Sequence, residues 1–152
     1  MKNFEHFYNL IQTYKDFDAI VDKGVVYSYN DIIEKIFEFE QTLAGSDIKD
    51  DNLISISSSM SFDSICLFLC LCKLQKIIIP ISEISKNKKK HFQKISNAES
   101  EMFFENGELK IHKLKTNLDY HEYYKEIFKR KVSGLVVFSS GSTGDNKAAV
   151  HD

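Results

Sequence analysis

The sequence predicts an α/β domain in which a layered, mostly parallel sheet is flanked by helices. Short apolar runs alternate with segments whose apolar residues recur at helical spacing, and this alternation is typical of layered α/β folds. One run, Ile77–Ile81, is apolar at every position, which fits a strand covered on both faces. With 152 residues, of which 43% are hydrophobic and 28% charged, the chain is expected to form one globular domain over residues 1–152.

The individual elements follow from periodicity and from the residues at their boundaries. Ser28 and Asp31 have the spacing of a capping box, which predicts a helix start, and Gly45 should end that helix in the left-handed conformation. Asn106 and Gly107 favour a hairpin turn. The predicted helices cover residues 3–14, 28–44 and 61–75, a fourth opens at Lys86, and a fifth contains Leu118, Tyr120, Tyr124, Ile127 and Phe128. The predicted strands cover residues 19–21, 25–27, 53–57, 77–81, 102–104, 109–111 and 135–138.

Two helices have informative apolar faces. The helix that begins at Ser28 should bury one face, formed by Ile32, Ile33, Ile36, Phe37 and Leu43. The next helix contains an uninterrupted apolar run over residues 65–71, so we expect it to be buried on most sides. This run is far shorter than the roughly 20 residues needed to cross a bilayer, and no membrane span is expected.

Composition argues against several classes of function. The formal net charge of −2 gives no electrostatic reason to expect a nucleic-acid partner. No long apolar segment follows Met1, so no secretory signal is expected. Cys66, Cys70 and Cys72 lie in one apolar stretch without metal-ligand spacing, which favours reduced thiols in a cytoplasmic protein and no metal site. The basic stretch over residues 86–91 is interpreted as a solvated helix face.

The most informative segment for function is Ser139-Ser140-Gly141-Ser142-Thr143-Gly144-Asp145-Asn146-Lys147, directly after an apolar strand. Glycines let successive backbone N–H groups converge on an anion, while hydroxyls and a lysine add donors. Its glycine and lysine spacing differs from that of a Walker A loop, and no dinucleotide fingerprint is present. The alternative is a flexible serine–glycine loop without function.

This segment resembles the phosphate-binding signature of the adenylate-forming superfamily, which includes acyl-CoA synthetases, peptide-synthetase adenylation domains and luciferases. The matching positions are Ser139, Ser140, Gly141, Ser142, Thr143, Gly144 and Lys147. Two positions depart from the usual form, because Asn146 stands where proline is usual and Ala148 where glycine is usual.

Three weaker landmarks of the same family lie upstream in the family's order. The residues at 28–32 are similar to a T-Y-x-E-L helix start, and those at 50–54 resemble a charged turn that leads into a strand. Residues 73–81 resemble K-x-G-x-x-x-x-P-L, with Gln75 in place of the glycine. Together with the signature, these landmarks cover nearly the whole chain.

The resemblance implies ATP-dependent activation of a carboxylic acid. In the family, the carboxylate attacks the α-phosphate of ATP, and the acyl-adenylate is passed to coenzyme A or to a carrier thiol. The implied roles are an ATP-binding loop, aided by Mg²⁺, in which the seven signature residues hold the phosphates or permit the turn. We expect residues 140–147 to be mobile in the isolated chain because glycine-rich segments lose much entropy on ordering.

In the family, the ribose-binding aspartate, the acyl pocket and the lid lysine all follow this signature. The resemblance therefore implies that residues 1–152 supply the N-terminal part of an acyl-CoA synthetase or a related ligase and are inactive alone. The remaining part of the synthetase would then be a partner. The alternative is a non-catalytic remnant, an α/β module that binds a partner chain through sheet edges and apolar surface.

Overall fold

The computed structural model of the chain describes residues 2–81, 86–116, 119–140 and 146–152. Leu118 of the predicted fifth helix therefore lies outside the described residues. The helices are α1 (Lys2–Thr13), α2 (Tyr29–Ala44), α3 (Phe62–Lys73), α4 (Lys86–Ile95) and α5 (Glu122–Arg130). The strands are β1 (Asp18–Asp22), β2 (Val25–Ser28), β3 (Leu53–Ser57), β4 (Ile77–Ile81), β5 (Ser100–Glu105), β6 (Glu108–Lys113), β7 (Gly134–Ser140) and β8 (Asn146–His151).

Six of these strands form the central sheet, in the order β6-β5-β3-β4-β7-β8. The inner pairs β5–β3, β3–β4 and β4–β7 are parallel, and the outer strands β6 and β8 pair antiparallel with their neighbours. Strands β1 and β2 form a separate antiparallel hairpin. The predicted layered α/β fold with a mostly parallel sheet is confirmed.

The sheet separates two apolar cores, and β4 contributes to both. Ile78 packs in the core shared with α1, α2 and α3, whereas Ile77 and Ile79 pack in the core shared with α4 and α5. All three side chains are fully buried, as the continuous apolar run predicts. Pro80 does not interrupt the strand, since it stays in register with Ile56 of β3, while the pairing of β4 with β7 has already ended at Ile78.

Helix α2 begins with the predicted capping box. The Ser28 backbone N–H donates to the Asp31 carboxylate at 2.6 Å, and the Asp31 N–H donates to the Ser28 hydroxyl at 3.2 Å. Two expectations about this helix are wrong. Phe37 is 60% exposed and Phe39 is buried instead, since Phe39 lies three residues from Ile36 on the inward face while Phe37 is turned about 100° away.

The second correction concerns the end of α2. Gly45 has φ −88°, in the ordinary right-hand range, and its N–H donates to the Gln41 carbonyl at 3.3 Å. The helix therefore ends without a left-handed residue, and glycine is not required there by backbone conformation.

Helix α3 does end in a left-handed residue, and that residue is Gln75, with φ +57°. The Gln75 N–H donates to the Cys72 carbonyl at 3.0 Å, and the Lys76 N–H donates to the Leu71 carbonyl at 3.0 Å. These two bonds are those of a Schellman motif, whose left-handed position favours glycine. The family pattern K-x-G thus has a conformational basis that this chain satisfies with glutamine.

Helix α3 has no exposed residue, and six of its twelve residues are buried, as expected of a helix covered on most sides. Cys66, Leu67, Cys70 and Leu71 are fully buried against the sheet and α2. The opposite side, which includes Phe68, is half-buried. Within the described ranges, no helix has both the length and the apolar content of a bilayer-spanning segment.

We expect Gln75→Gly to raise the free energy of unfolding by about 1 kcal/mol, because a left-handed residue with a Cβ is strained by roughly that amount. The matched control is Gln41→Gly at an exposed position inside α2, which should lower stability by about 1 kcal/mol. Urea unfolding of the three proteins measures both changes. Destabilisation by Gln75→Gly would contradict the assigned conformation.

We also expect the three thiols to react in a fixed order. All three are free, and burial, aided by the Asp63 charge for Cys66 and the Glu40 charge for Cys70, raises the pKa of both thiols to about 12. Cys72 is half-buried and lines an open cavity, so it should react first with a thiol reagent at pH 8. Cys66 and Cys70 should react at least about 100-fold more slowly than in urea, and fast native labelling of all three would contradict their burial.

Candidate functional site

The two ends of the signature segment lie in the last two strands of the sheet. Strand β7 carries Ser139 and Ser140, strand β8 begins with Asn146 and Lys147, and Ser139 pairs directly with Lys147 in the antiparallel ladder. The structure thus brings together two of the seven predicted site residues. Gly141, Ser142, Thr143 and Gly144 lie outside the described residues, as does the side chain of Ser140.

Lys147 lies in a strand, whereas the sequence predicts a loop that continues through this residue. Lys147 is a strand residue with an exposed side chain. Strand β8 was not predicted, although the apolar run after Lys147, from Ala148 to Val150, is a signal for it. The run is short because β8 is an edge strand whose Ala148 and Ala149 are exposed.

Ser139 and Lys147 lie on the same side of the sheet as α3. Leu135 is beside Ile78 in the parallel ladder, and Ile78 packs towards α3. Because alternate residues of a strand share a face, Ser139 lies on the side of Leu135, and its cross-strand partner Lys147 lies there too. This side of β7 and β8 therefore presents one hydroxyl and one ammonium group at the end of the strand pair.

The opposite side of β7 is fixed by packing. The Phe138 ring stacks on the Phe92 ring of α4, with centroids 4.1 Å apart and an interplanar angle of 7°. Val136 is fully buried in the same core. At the start of the strand, a Cβ on Gly134 would come within 2.9 Å of the Ile127 side chain and 3.1 Å of the Ile77 side chain. Glycine there allows β7 to lie close to α5 and β4.

Helix α4, which supplies Phe92, is itself tied to the sheet by an ion pair. The Lys89 ammonium donates to the Glu101 carboxylate of β5 at 2.6 Å, and Glu101 is 6% exposed. Burial acts to raise the pKa of Glu101, but hydrogen bonds from Lys89 and from neighbouring side chains outweigh it and hold the pKa below its ordinary value. The interpretation of the basic stretch as a solvated face is therefore wrong for Lys89.

A groove of 680 Å³ lies at the carboxyl ends of β3 and β4, on the α3 side of the sheet. The chain leaves β3 towards α3 on one face and leaves β4 towards α4 on the other. Such a reversal is the topological switch point at which open α/β sheets bind ligands. The groove is mainly apolar, with Met60, Phe68 and Pro80 in its walls and the Ser58 and Ser64 residues beside them.

Among known proteins, only solved structures match the chain. No protein-family model matches it, and no curated protein matches it. The Klebsiella oxytoca NpsA N-terminal subdomain in complex with 3-hydroxyanthranilyl-AMSN aligns with a TM-score of 0.66 and 14% identity, over 95% of this chain and 39% of that one. The nonribosomal peptide synthetase FmoA3, bound to α-methyl-L-serine-AMP, aligns with a TM-score of 0.69 and 13% identity, over 97% of this chain and 17% of that one.

The same architecture recurs in an artificially fused adenylation–PCP di-domain, NpsA–ThdA from Klebsiella oxytoca. It aligns with a TM-score of 0.66 and 14% identity, over 97% of this chain and 32% of that one. The chain therefore has the same fold as these adenylation-domain structures. The chain spans about two fifths of the NpsA subdomain chain and a smaller share of FmoA3. The fold that the resemblance implies is confirmed.

We expect Glu101→Gln to lower the free energy of unfolding at pH 7 by about 1–2 kcal/mol, because it leaves the Lys89 ammonium without its carboxylate. The folded-state pKa of Glu101 lies below its ordinary value, so the pair stabilises the protein above the ordinary glutamate pKa. That stability should disappear as the pH falls through the lowered pKa.

Urea unfolding between pH 7 and pH 3 should therefore show a smaller loss of stability with acid in Glu101→Gln than in the unchanged chain. Glu108→Gln is the matched control, because Glu108 forms an exposed ion pair with Lys110 at 2.6 Å, and exposed pairs contribute little. Equal stability of the two variants at pH 7 would contradict an anchoring role for Glu101.

Proposed function

We propose that this chain is the N-terminal, phosphate-binding part of an ATP-dependent synthetase that activates a carboxylic acid as its acyl-adenylate. The observation that carries the proposal is the pairing of Ser139 with Lys147, the first and last residues of the signature segment. Both lie on the side of the sheet that also holds the switch-point groove. The fold shared with adenylation domains supports the same conclusion.

In this proposal, the seven signature residues bind the ATP phosphates. The Lys147 ammonium and the hydroxyls of Ser139, Ser140, Ser142 and Thr143 donate to phosphate oxygens, while Gly141 and Gly144 permit backbone N–H groups to converge. The backbones of Ser139 and Lys147 are held together by strand pairing, so this pair is preorganised before nucleotide binds. The reaction is attack of a carboxylate oxygen on the α-phosphorus with loss of pyrophosphate.

Magnesium fits this arrangement as an ion carried by the nucleotide. In the described part of the chain, no group of three or more His, Cys, Asp or Glu side chains is placed to hold a metal. Mg²⁺ ordinarily keeps several waters and is bound through substrate phosphates with one or two protein oxygens. Serine and threonine hydroxyls of the signature are suitable oxygens for that role.

The structures with the same fold favour a peptide-synthetase type of adenylation over an acyl-CoA synthetase, because their names describe nonribosomal peptide synthetases and an adenylation–PCP di-domain. We propose a carrier thiol as the acceptor, with coenzyme A as the alternative. The rest of the synthetase would be needed for turnover. Three free thiols support a cytoplasmic location for the 1–152 domain.

A second candidate, a non-catalytic partner-binding module, is favoured by the α3 side of the sheet. Val137 and Ala149 form a cross-strand pair on that side, and Ala149 and Pro80 are exposed. An apolar face with little cover is typical of a docking surface. Nucleotide binding separates the two candidates, because only the first requires it.

We expect the chain to bind ATP weakly, with a dissociation constant near about 1 mM, because one lysine and a few hydroxyls supply only part of a nucleotide site. Lys147→Ala should abolish this binding and leave the fold intact, since the Lys147 side chain is exposed. Calorimetric titration with Mg·ATP at low salt measures the affinity.

The control is Lys129→Ala, which removes an exposed lysine at the C-terminal end of α5 and should leave ATP affinity unchanged. Binding that survives Lys147→Ala would show that the phosphates lie elsewhere, and equal loss in both variants would reduce the effect to net charge. Absence of any binding in the unchanged chain at about 10 mM ATP, roughly ten times the expected dissociation constant, would favour the partner-binding module.

A further inference from the structure

A second basic feature lies on the other side of the sheet, away from Ser139 and Lys147. It is a groove of 690 Å³ between the C-terminal half of α4 and the segment that follows β6, and we name it the α4 groove. Its polar wall residues are Lys90, Gln93, Lys94, Asn97, Lys115 and Thr116, and Ala98 and Leu114 contribute apolar surface. Its volume falls within the range of small-molecule sites.

Three lysines line the α4 groove. Lys90 and Lys94 are one helical turn apart on the same face of α4, and Lys115 lines the opposite wall. No carboxylate side chain lines the groove, and across the described ranges none of these three ammonium groups has an ion-pair partner. Lys89, on the same helix, differs because it is paired with Glu101.

Helix stability does not account for this arrangement. Like charges one turn apart destabilise a helix slightly. A lysine in the last turn benefits from the helix dipole, which accounts for Lys94. The dipole gives no reason for Lys90, a turn earlier, or for Lys115, which is outside the helix.

Hydrogen bonds of Asn97 connect the two walls of the groove. Asn97 follows α4 with φ +56°, and its N–H donates to the Lys94 carbonyl at 3.2 Å. The Asn97 side-chain amide donates to the Asp119 carbonyl at 3.2 Å, and the Thr116 hydroxyl donates to the Asn97 side-chain oxygen at 3.5 Å. The two walls are thus joined through one residue.

We propose that the α4 groove binds a small organic anion carrying two or more phosphate or carboxylate groups. Three ammonium groups supply the charge, the Asn97 and Thr116 side chains border the site, and Ala98 and Leu114 accommodate an apolar part of the ligand. A small ligand fits better than a macromolecule because the lysines face a concavity of limited volume. The site is independent of the ATP-phosphate proposal, since α4 and Lys147 lie on opposite faces of the sheet.

Amide chemical shifts of the ¹⁵N-labelled chain test the proposal, with tripolyphosphate and citrate as the two probes. At low ionic strength, at least one probe should shift the amides around Lys94 and Lys115 and saturate below about 1 mM. Added salt should weaken the binding, since the lysines are exposed. Lys94→Gln with Lys115→Gln should raise the dissociation constant by at least about tenfold, and the variant's own spectrum reports whether it is folded.

The matched control is Lys15→Gln with Lys129→Gln, which removes the same net charge at exposed sites outside the groove and should leave the affinity within about twofold. Equal loss in the two double variants, or no saturation below about 10 mM, would overturn the proposal. Shifts confined to β7 and β8 that disappear in Lys147→Ala would overturn it as well and would support the ATP-phosphate site instead.

Discussion

The burial of β4 on both faces is the constraint on which the rest of the structure depends. A strand with Ile77, Ile78 and Ile79 fully buried requires apolar cover on each side, which α3 supplies on one face and α4 with α5 on the other. Parallel pairing with β3 then requires a crossover connection, which α3 provides. The chain leaves β3 and β4 on opposite faces because both faces need a helix, and the switch-point groove is a consequence.

The burial of β4 also determines the position of β7 and β8, the strands that contain the two ends of the signature. Strand β7 pairs with β4 only through Ile77 and Ile78, so its far end is held mainly by the Phe138–Phe92 stack and by the antiparallel pairing with β8. Residues that face α4 are therefore fixed by a packed core. Their neighbours Ser139 and Lys147 face the other way, towards the partly covered α3 side, and both are exposed.

Much of the fold was predictable because local chemistry and tertiary structure agree. The capping box at Ser28, the hairpin turn at Asn106-Gly107 and the uninterrupted apolar run of β4 each specify an element from a few residues. The wrong predictions concern features that depend on tertiary contacts rather than on local sequence. Phe37 and Phe39 are equally apolar, and only packing against the sheet selects Phe39. Strand β8 is short and exposed, and it exists because β7 offers it an edge to pair with.

The composition of the signature predicts an anion-binding segment, and that assignment stays a prediction. The pairing of Ser139 with Lys147 depends on a strand register that spacing alone does not reveal. At Gln75, by contrast, the sequence pattern does indicate the backbone geometry. The family pattern has glycine at this position, and Gln75 has the left-handed conformation that favours glycine. The α4 groove depends on Lys115, which is distant in sequence from the basic stretch of α4.

The most direct test of the central claim is the location of bound Mg·ATP, mapped by amide shifts in the ¹⁵N-labelled chain. The account predicts shifts at Ser139, Lys147 and their neighbours in β7 and β8, with little change at the amino ends of β3 and β4. Shifts confined to the amino ends of those strands, or no shift at β7 and β8 under saturating nucleotide, would contradict the assignment of this strand pair as the phosphate-binding element.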